Sequence, residues 1–208
     1  MAAQTRIVQA NGLDFQIVEQ GQGPLVLLCH GWPELSYSWR HQIPALAAAG
    51  YRVVAPDMRG YGGTTAPKDI AAYSIHHLVG DMVALVAALG ESEAIVVGHD
   101  WGAAVAWHCA MFRPDVFPAV AAMSVPLRRR GPVAPMEMLR QQGVTTFYWQ
   151  YFQTPGVVEA EMARDWSHTL RAIYYGTGLG LMLKPGRGMV EDAKIPEHAP
   201  AWISEAEI

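Results

Sequence analysis

The sequence is poor in charged residues and in cysteine, and it has no long hydrophobic run. Asp, Glu, Lys and Arg make up 16% of its 208 residues, too few for a disordered chain, whereas 51% of the residues are hydrophobic and can build one sizeable core with an accessory layer. No uninterrupted apolar segment could span a bilayer, and the N-terminus lacks the charged and apolar regions of a signal peptide. We therefore predict a globular cytoplasmic protein with no membrane partner.

Cysteine and basic residues are too sparse for several classes of site. Cys29 lies in a strand-like run and Cys109 in a helix-like run, so they form neither a disulfide framework nor a metal-ligand spacing. We predict that both are buried, and we expect no metal and no cofactor. The net charge is −4, and the basic cluster at Arg128–Arg130 is interpreted as a solvated face, so we predict no nucleic-acid partner. A homo-oligomer is left open.

Short apolar, β-branched runs alternate with helical patterns in the first part of the chain. Asn11-Gly12 separates two alternating segments and predicts a hairpin. This alternation predicts an α/β fold with a mostly parallel sheet and helices on both faces. The buried strands are predicted in PLVLLCH, YRVVAPD, EAIVVGH and FPAVAAMSV, which begin at Pro24, Tyr51, Glu93 and Phe117.

Two helices are predicted between these strands. The segment from Ser74 to Gly90 has one apolar face at helical spacing, and Gly90 ends the pattern. The segment AAVAWHCAMF is apolar all round, so we expect a central buried helix in which His108 is a satisfied core histidine. The face of the first helix is formed by Ile75, Leu78, Val79, Met82, Val83, Val86 and Leu89.

The alternation stops at Leu127, where Trp, Tyr, Met and Gln become frequent. We predict two domains, a core over residues 1–126 and a helical cap or lid over residues 127–208, inserted after the sixth strand. One long helix is expected in GVVEAEMARDWSHTLRAIYYG. The segment GTGLG, residues 176–180, lacks the strand and the further residues of a phosphate-binding loop, so a mobile lid loop is predicted instead.

The segment IVVGHDWGAAVAW has the pattern of a nucleophile elbow, a strand-to-helix turn, with Asp100 where serine is usual. Gly98 and Gly102 flank this residue, as the tight turn requires. A carboxylate can displace a leaving group from saturated carbon and form an ester on the protein. Hydrolysis of that ester by water places an oxyanion on the aspartate side chain itself, which requires backbone donors. An aspartate that merely caps the helix is the alternative interpretation.

The oxyanion donors are predicted at two tryptophans. The Trp101 backbone N–H directly follows the nucleophile, and the Trp32 N–H lies in HGWPE, where an oxyanion loop belongs after the third strand. His30, Gly31 and Pro33 are predicted to support this loop, with Pro33 shaping it through a cis peptide bond.

Four segments together resemble the epoxide hydrolases of the α/β-hydrolase fold: HGWPE, PDMRGYGGT, VVGHDWG and YWQYFQTPG. The resemblance implies that Asp100 opens an epoxide ring, that a cap tyrosine protonates the ring oxygen, and that water releases a vicinal diol. Tyr148 matches that tyrosine, with Tyr151, Tyr174 and Tyr175 nearby in sequence. The expected substrates are a small apolar epoxide and water.

Other interpretations stay open. A haloalkane dehalogenase also uses an elbow aspartate followed by tryptophan, and Trp32 could then bind the halide. A catalytically inactive hydrolase-fold binding module is an alternative from another class, whereas Asp100 excludes serine esterases. The resemblance implies a hydrolytic histidine, its acid partner and a second cap tyrosine beyond these residues. His99, His168 and His198 do not match the expected context, so no base is assigned in this chain.

The final residues, AWISEAEI, have the pattern of a helix start. Ser204 and Glu207 form a predicted capping box, with Ile203 and Ile208 at the staple positions. A helix of one turn cannot sustain itself, so we expect further chain that supplies the final core strands. Without those strands the sixth strand would be an exposed edge, and residues 1–208 alone would be poorly soluble and would not turn over repeatedly.

Overall fold

A computed structural model describes residues 2–127, 129–177 and 182–208. The chain divides into two compact units, Met1–Arg129 and Arg130–Ile208. Arg128 of the basic cluster and residues 178–180 of GTGLG lie outside the described residues, so neither prediction about them is tested. No described helix has the length and apolar character needed to cross a bilayer.

The first unit contains the predicted hairpin and a strand in each of the four segments predicted to hold buried strands. The last of these strands lies at an edge of the sheet and has no buried residue, so the prediction that it is buried is wrong. Asn11 and Gly12 both have positive φ angles, 50° and 73°, which suit the tight turn between β1 and β2. Strands β3 to β6 are parallel to one another, and β2 joins them antiparallel to β4, in the order β1-β2-β4-β3-β5-β6. The bounds are β1 Gln4–Ala10, β2 Leu13–Gln20, β3 Leu25–Cys29, β4 Arg52–Pro56, β5 Ile95–His99 and β6 Ala119–Met123.

Helices cover both faces of this sheet, as predicted. Alternate residues of β3 belong to two different apolar clusters because successive side chains of a strand point to opposite faces. Leu27 packs in the cluster of helices α2 and α3, whereas Leu28 packs in the cluster of α1. The helices are α1 Gln42–Ala48, α2 Ile75–Ala88 and α3 Trp101–Phe112, with 3-10 turns at Ser36–Trp39 and Ile70–Tyr73.

The predicted faces of α2 and α3 are only partly right. Helix α2 also buries Leu85 and Asp81, which the apolar pattern omits. Helix α3 is not buried all round, since Met111 and Phe112 are 48% and 44% exposed. Its apolar pattern does not determine its burial, because burial depends on which elements pack against each side.

The two cysteines are fully buried and free, as predicted. Burial raises the pKa of the Cys29 thiol well above its ordinary value and that of Cys109 to about 12. Both thiols therefore stay protonated and behave as small apolar side chains.

The second unit is helical, but the long predicted helix over residues 156–176 is wrong. It is two helices, because the Asp165 carboxylate accepts a hydrogen bond from the His168 N–H at 2.9 Å and caps a new helix there. At the end of the chain, the Glu207 carboxylate accepts from the Ser204 N–H at 2.8 Å in a single 3-10 turn. The helices are α4 Pro135–Gln141, α5 Tyr148–Tyr151, α6 Val157–Met162 and α7 Trp166–Tyr175, and the 3-10 turn is Glu205–Glu207.

Candidate active site

Asp100 lies in the turn between β5 and α3 with a backbone conformation that is rare for any residue except glycine. Its φ and ψ angles are 52° and −122°. The Asp100 N–H donates to Ser124 Oγ at 3.1 Å, which ties the turn to the end of β6. Such strained residues persist only where the surrounding structure holds them, and they cluster at functional sites.

The glycines on either side of Asp100 are required by close packing. A Cβ atom on Gly98 would collide with the carbonyl oxygen of Gly102, and one on Gly102 would collide with the carbonyl oxygen of Cys29. The elbow therefore brings the start of α3 directly against β5 and β3, as the sequence pattern predicts.

The Asp100 side chain does not cap α3. Its Oδ1 atom instead accepts a hydrogen bond from the Trp32 N–H at 3.1 Å. Gly31 lies so near that a Cβ atom there would be 2.5 Å from Asp100 Cβ. The peptide bond between Trp32 and Pro33 is cis, as expected. The structure thus contradicts the helix-cap interpretation and places the carboxylate against the HGWPE loop.

His30 fixes the start of this loop. The buried ring accepts a hydrogen bond from the Met58 N–H at Nε2, at 2.9 Å. Its proton must therefore be on Nδ1, which donates to the Gly31 carbonyl at 2.8 Å. Burial lowers the pKa of His30, so the neutral ring joins the loop to the residues that follow β4.

Glu34 contacts both the HGWPE loop and the elbow, which the sequence analysis did not predict. Its Oε2 atom accepts from the Gly31 N–H at 2.9 Å and lies 3.2 Å from His99 Nδ1. Its position three residues after Gly31 was the available signal, because acidic side chains in loops often bond a nearby backbone N–H. A second carboxylate therefore lies beside the elbow and holds the HGWPE loop from its other end.

The negative charge near Asp100 affects the pKa of Tyr61. Burial, followed by the charges of Asp100 and Glu34, raises the pKa of its phenol to about 12. The ring packs edge-on against His30 with a centroid distance of 4.9 Å. Tyr61 is therefore neutral at physiological pH.

In the second unit, Tyr148 begins the short helix α5. Its ring packs edge-on against Phe152 with a centroid distance of 5.6 Å, and no group within the described ranges hydrogen-bonds its hydroxyl. Tyr151 differs, because its hydroxyl donates to Glu161 Oε2 at 2.8 Å. Burial and this hydrogen bond raise the pKa of Tyr151 to about 12. Of the two phenols, only that of Tyr148 is available to another acceptor.

The family profile described as alpha/beta hydrolase fold matches residues 24–199. This chain belongs to the α/β-hydrolase fold family. It is 46% identical over 214 residues to epoxide hydrolase A of Mycobacterium tuberculosis, covering 98% of this chain and 66% of that protein. It is 39% identical to epoxide hydrolase 2 of Siraitia grosvenorii, covering 97% of this chain and 64% of that protein. The chain thus spans just under two thirds of the length of these two relatives.

Solved structures show the same likeness. A crystal structure of epoxide hydrolase A from Mycobacterium thermoresistibile superposes with a TM-score of 0.93 at 42% identity, covering 99% of this chain and 68% of that one. An epoxide hydrolase from an endophytic Streptomyces gives a TM-score of 0.90 at 46% identity, with coverages of 99% and 65%. The fold is therefore that of the α/β-hydrolases.

In this α/β-hydrolase, the PDMRGYGGT segment has a structural role. Asp57 is buried and accepts hydrogen bonds from the Ser36 N–H at 2.9 Å, Gln16 Nε2 at 2.8 Å and the Gly63 N–H at 3.1 Å. These bonds join the hairpin, the segment after the HGWPE loop and the segment after β4. The carboxylate therefore holds in place the backbone that supports His30.

A buried ion pair continues this network. Arg59 and Asp81 are 5% and 1% exposed and form two hydrogen bonds, Nε to Oδ2 at 2.7 Å and Nη2 to Oδ1 at 2.5 Å. Asn11 Nδ2 donates to the same carboxylate at 2.7 Å. This pair explains why Asp81 is buried on the otherwise apolar face of α2.

Neither His168 nor His198 has the surroundings of a hydrolytic base. The ring of His168 lies 3.4 Å from the Val190 carbonyl, and His198 is exposed. Neither ring is hydrogen-bonded to a carboxylate of the described chain. His108 is a satisfied histidine, as predicted, with Nδ1 bonded to the Ala104 carbonyl at 2.7 Å. Among the described residues, no group of three or more His, Cys, Asp or Glu side chains could hold a metal ion.

Proposed function

We propose that the protein is an epoxide hydrolase in which Asp100 is the nucleophile. The observation that carries the proposal is the Asp100 carboxylate, which leaves the helix N-terminus uncapped and instead accepts the Trp32 N–H at 3.1 Å. A carboxylate used only as a helix cap would bond to α3. Similarity to the epoxide hydrolases of Mycobacterium tuberculosis and Siraitia grosvenorii supports the same reaction.

The hydrogen bond to Oδ1 assigns different roles to the two carboxylate oxygens. Oδ2 attacks a ring carbon and forms the ester bond, while the carbon–oxygen bond of the epoxide breaks. The ring oxygen takes a proton from the Tyr148 hydroxyl and becomes an alcohol. Tyr148 suits this role because a phenol can donate a proton without itself carrying positive charge.

Hydrolysis of the ester uses the same backbone donor. Water adds to Asp100 Cγ, and the electron pair of the carbonyl bond moves to Oδ1, where the Trp32 N–H already donates. The Trp101 N–H is proposed as the second donor. Collapse of this intermediate breaks the bond between Cγ and the ester oxygen and restores the carboxylate. Of the two water protons, one completes the released vicinal diol and the other returns through solvent to the Tyr148 phenolate. We assign no base to this step.

We further propose that residues 127–208 act as the cap and that the substrate is a small apolar epoxide. The helical second unit and its aromatic cluster around Tyr148 support both proposals. A cytoplasmic location is proposed because Cys29 and Cys109 are free and buried, which suits a reducing compartment.

Product analysis tests the proposed reaction. The full-length protein is incubated separately with styrene oxide and with a 1-haloalkane, and diol and halide are measured. Diol without halide release is expected. Halide release without diol would favour a haloalkane dehalogenase, and neither product would favour an inactive binding module.

A further inference from the structure

Helix α5, which carries Tyr148, has a single turn and depends on side chains for its position. A helix this short cannot sustain itself, because nucleation orders several residues for one hydrogen bond. At its start, Gln150 Oε1 accepts the Phe147 N–H at 3.1 Å. At its end, the Tyr151 hydroxyl donates to Glu161 Oε2 at 2.8 Å. Glu161 is therefore the anchor of the C-terminal end.

Glu161 is itself rigidly held. The residue is 9% exposed, and besides Tyr151 it accepts the Met189 N–H on Oε2 and the Val190 N–H on Oε1, both at 2.9 Å. A Cβ atom on Gly188 would collide with this carboxylate, so the loop backbone packs directly against it. Within the described ranges, no Arg or Lys forms an ion pair with Glu161, and three hydrogen-bond donors stabilise it instead. The carboxylate joins α5 and α6 to residues 188–190.

We propose that Glu161 is a positioning residue for ring opening, acting through Tyr151 to hold the Tyr148 hydroxyl where it donates its proton. This inference rests on the proposed function. Residues three apart on a helix are neighbours on one face, so fixing the Tyr151 side chain fixes the rotation of the turn that carries Tyr148. The same hydrogen bond occupies the Tyr151 phenol and leaves Tyr148 as the proton donor.

The test measures the single-turnover rate at which styrene oxide alkylates Asp100. Glu161→Gln replaces one acceptor oxygen by an amide N–H₂ that faces hydrogen-bond donors. The variant should slow alkylation by about 10- to 100-fold, because a displacement of a reacting group by about 1 Å can reduce a reaction rate by this factor. The half-saturating epoxide concentration should not change. In a Tyr148→Phe background the same substitution should cause no further slowing, since the acid that it positions is already absent.

Two further variants separate positioning from folding. Glu159→Gln changes a carboxylate on the same helix that accepts only the Gly156 N–H among the described contacts, and its rate should stay within about twofold of the wild type. Tyr151→Phe removes the link to α5 but keeps both loop hydrogen bonds of Glu161, so it should slow alkylation even if Glu161→Gln fails to fold.

The outcomes distinguish this inference from the proposed function. Equal slowing by Glu161→Gln in both backgrounds, or a wild-type rate for Tyr151→Phe, would contradict the positioning role while wild-type protein is alkylated normally. Wild-type protein that is never alkylated at Asp100 would contradict the proposed function itself.

Discussion

Replacing Gly31 by alanine should displace the HGWPE loop from Asp100. The new Cβ atom would lie 2.5 Å from Asp100 Cβ and 2.8 Å from Oδ1, so one of the two segments must move by ~1 Å to reach ordinary contact. Gly31 does not have a positive φ angle, so alanine causes no backbone strain there and the effect is steric. The free energy of unfolding should fall by about 1–3 kcal/mol, as for other substitutions that overpack a site. The movement should break the Trp32 N–H to Oδ1 bond and reduce alkylation of Asp100 by roughly 10²-fold.

Urea unfolding and single-turnover alkylation measure the two effects. Gly80→Ala is the matched control, because its Cβ atom would meet only Asn11 Nδ2 at 3.6 Å in the middle of α2. That control should stabilise the protein by about 0.5–1 kcal/mol and leave alkylation unchanged. A Gly31→Ala variant with wild-type alkylation would refute the proposal that alkylation depends on the contact between this loop and Asp100.

Three other predictions concern His30, the Arg59–Asp81 pair and Tyr148. Burial lowers the pKa of His30, so as the pH drops the unfolded chain binds a proton at this residue from about pH 6.5, before the folded chain does. The free energy of unfolding, measured in urea titrations, should therefore fall as the pH drops below that value. The His30→Gln variant should lose the contribution of this residue to the pH dependence. Asp81→Asn should cost about 3–5 kcal/mol of stability because it leaves Arg59 buried and uncompensated, and a loss below about 1 kcal/mol in the same assay would contradict this view of the pair. Tyr148→Phe should slow alkylation within the roughly 10²–10⁴-fold range of general-acid effects without abolishing it, and an unchanged rate in quenched-flow measurements would move the acid role elsewhere.

Much of the first unit follows from local sequence. Asn11-Gly12 supplies the positive φ angles of the hairpin turn, and the short apolar runs supply strands β3 to β6. The elbow was recognisable because only glycine fits at positions 98 and 102. These features depend on backbone conformation and close approach, which residue type limits directly.

The missed features depend on contacts between distant residues. Glu161 bonds residues 28 and 29 positions away, so no local pattern indicates it. The bond of Glu34 to Gly31 had a local signal, but its contact with the ring of His99, 65 positions away, did not. The break in the predicted helix did have a local signal, since Asp165 is a good N-cap, but the apolar periodicity continues across it. The apolar pattern of α3 could not predict that Phe112 is exposed, because burial depends on which elements pack against the helix.

Peptide mapping after brief exposure to an epoxide tests the central claim most directly. The protein is mixed with excess styrene oxide, quenched early, digested and analysed by mass spectrometry. The added mass of one epoxide is expected on the peptide that contains Asp100, and Asp100→Ala should abolish it. The adduct on the peptide that contains Glu34, or an undiminished adduct in the Asp100→Ala variant, would contradict the assignment of Asp100 as the nucleophile.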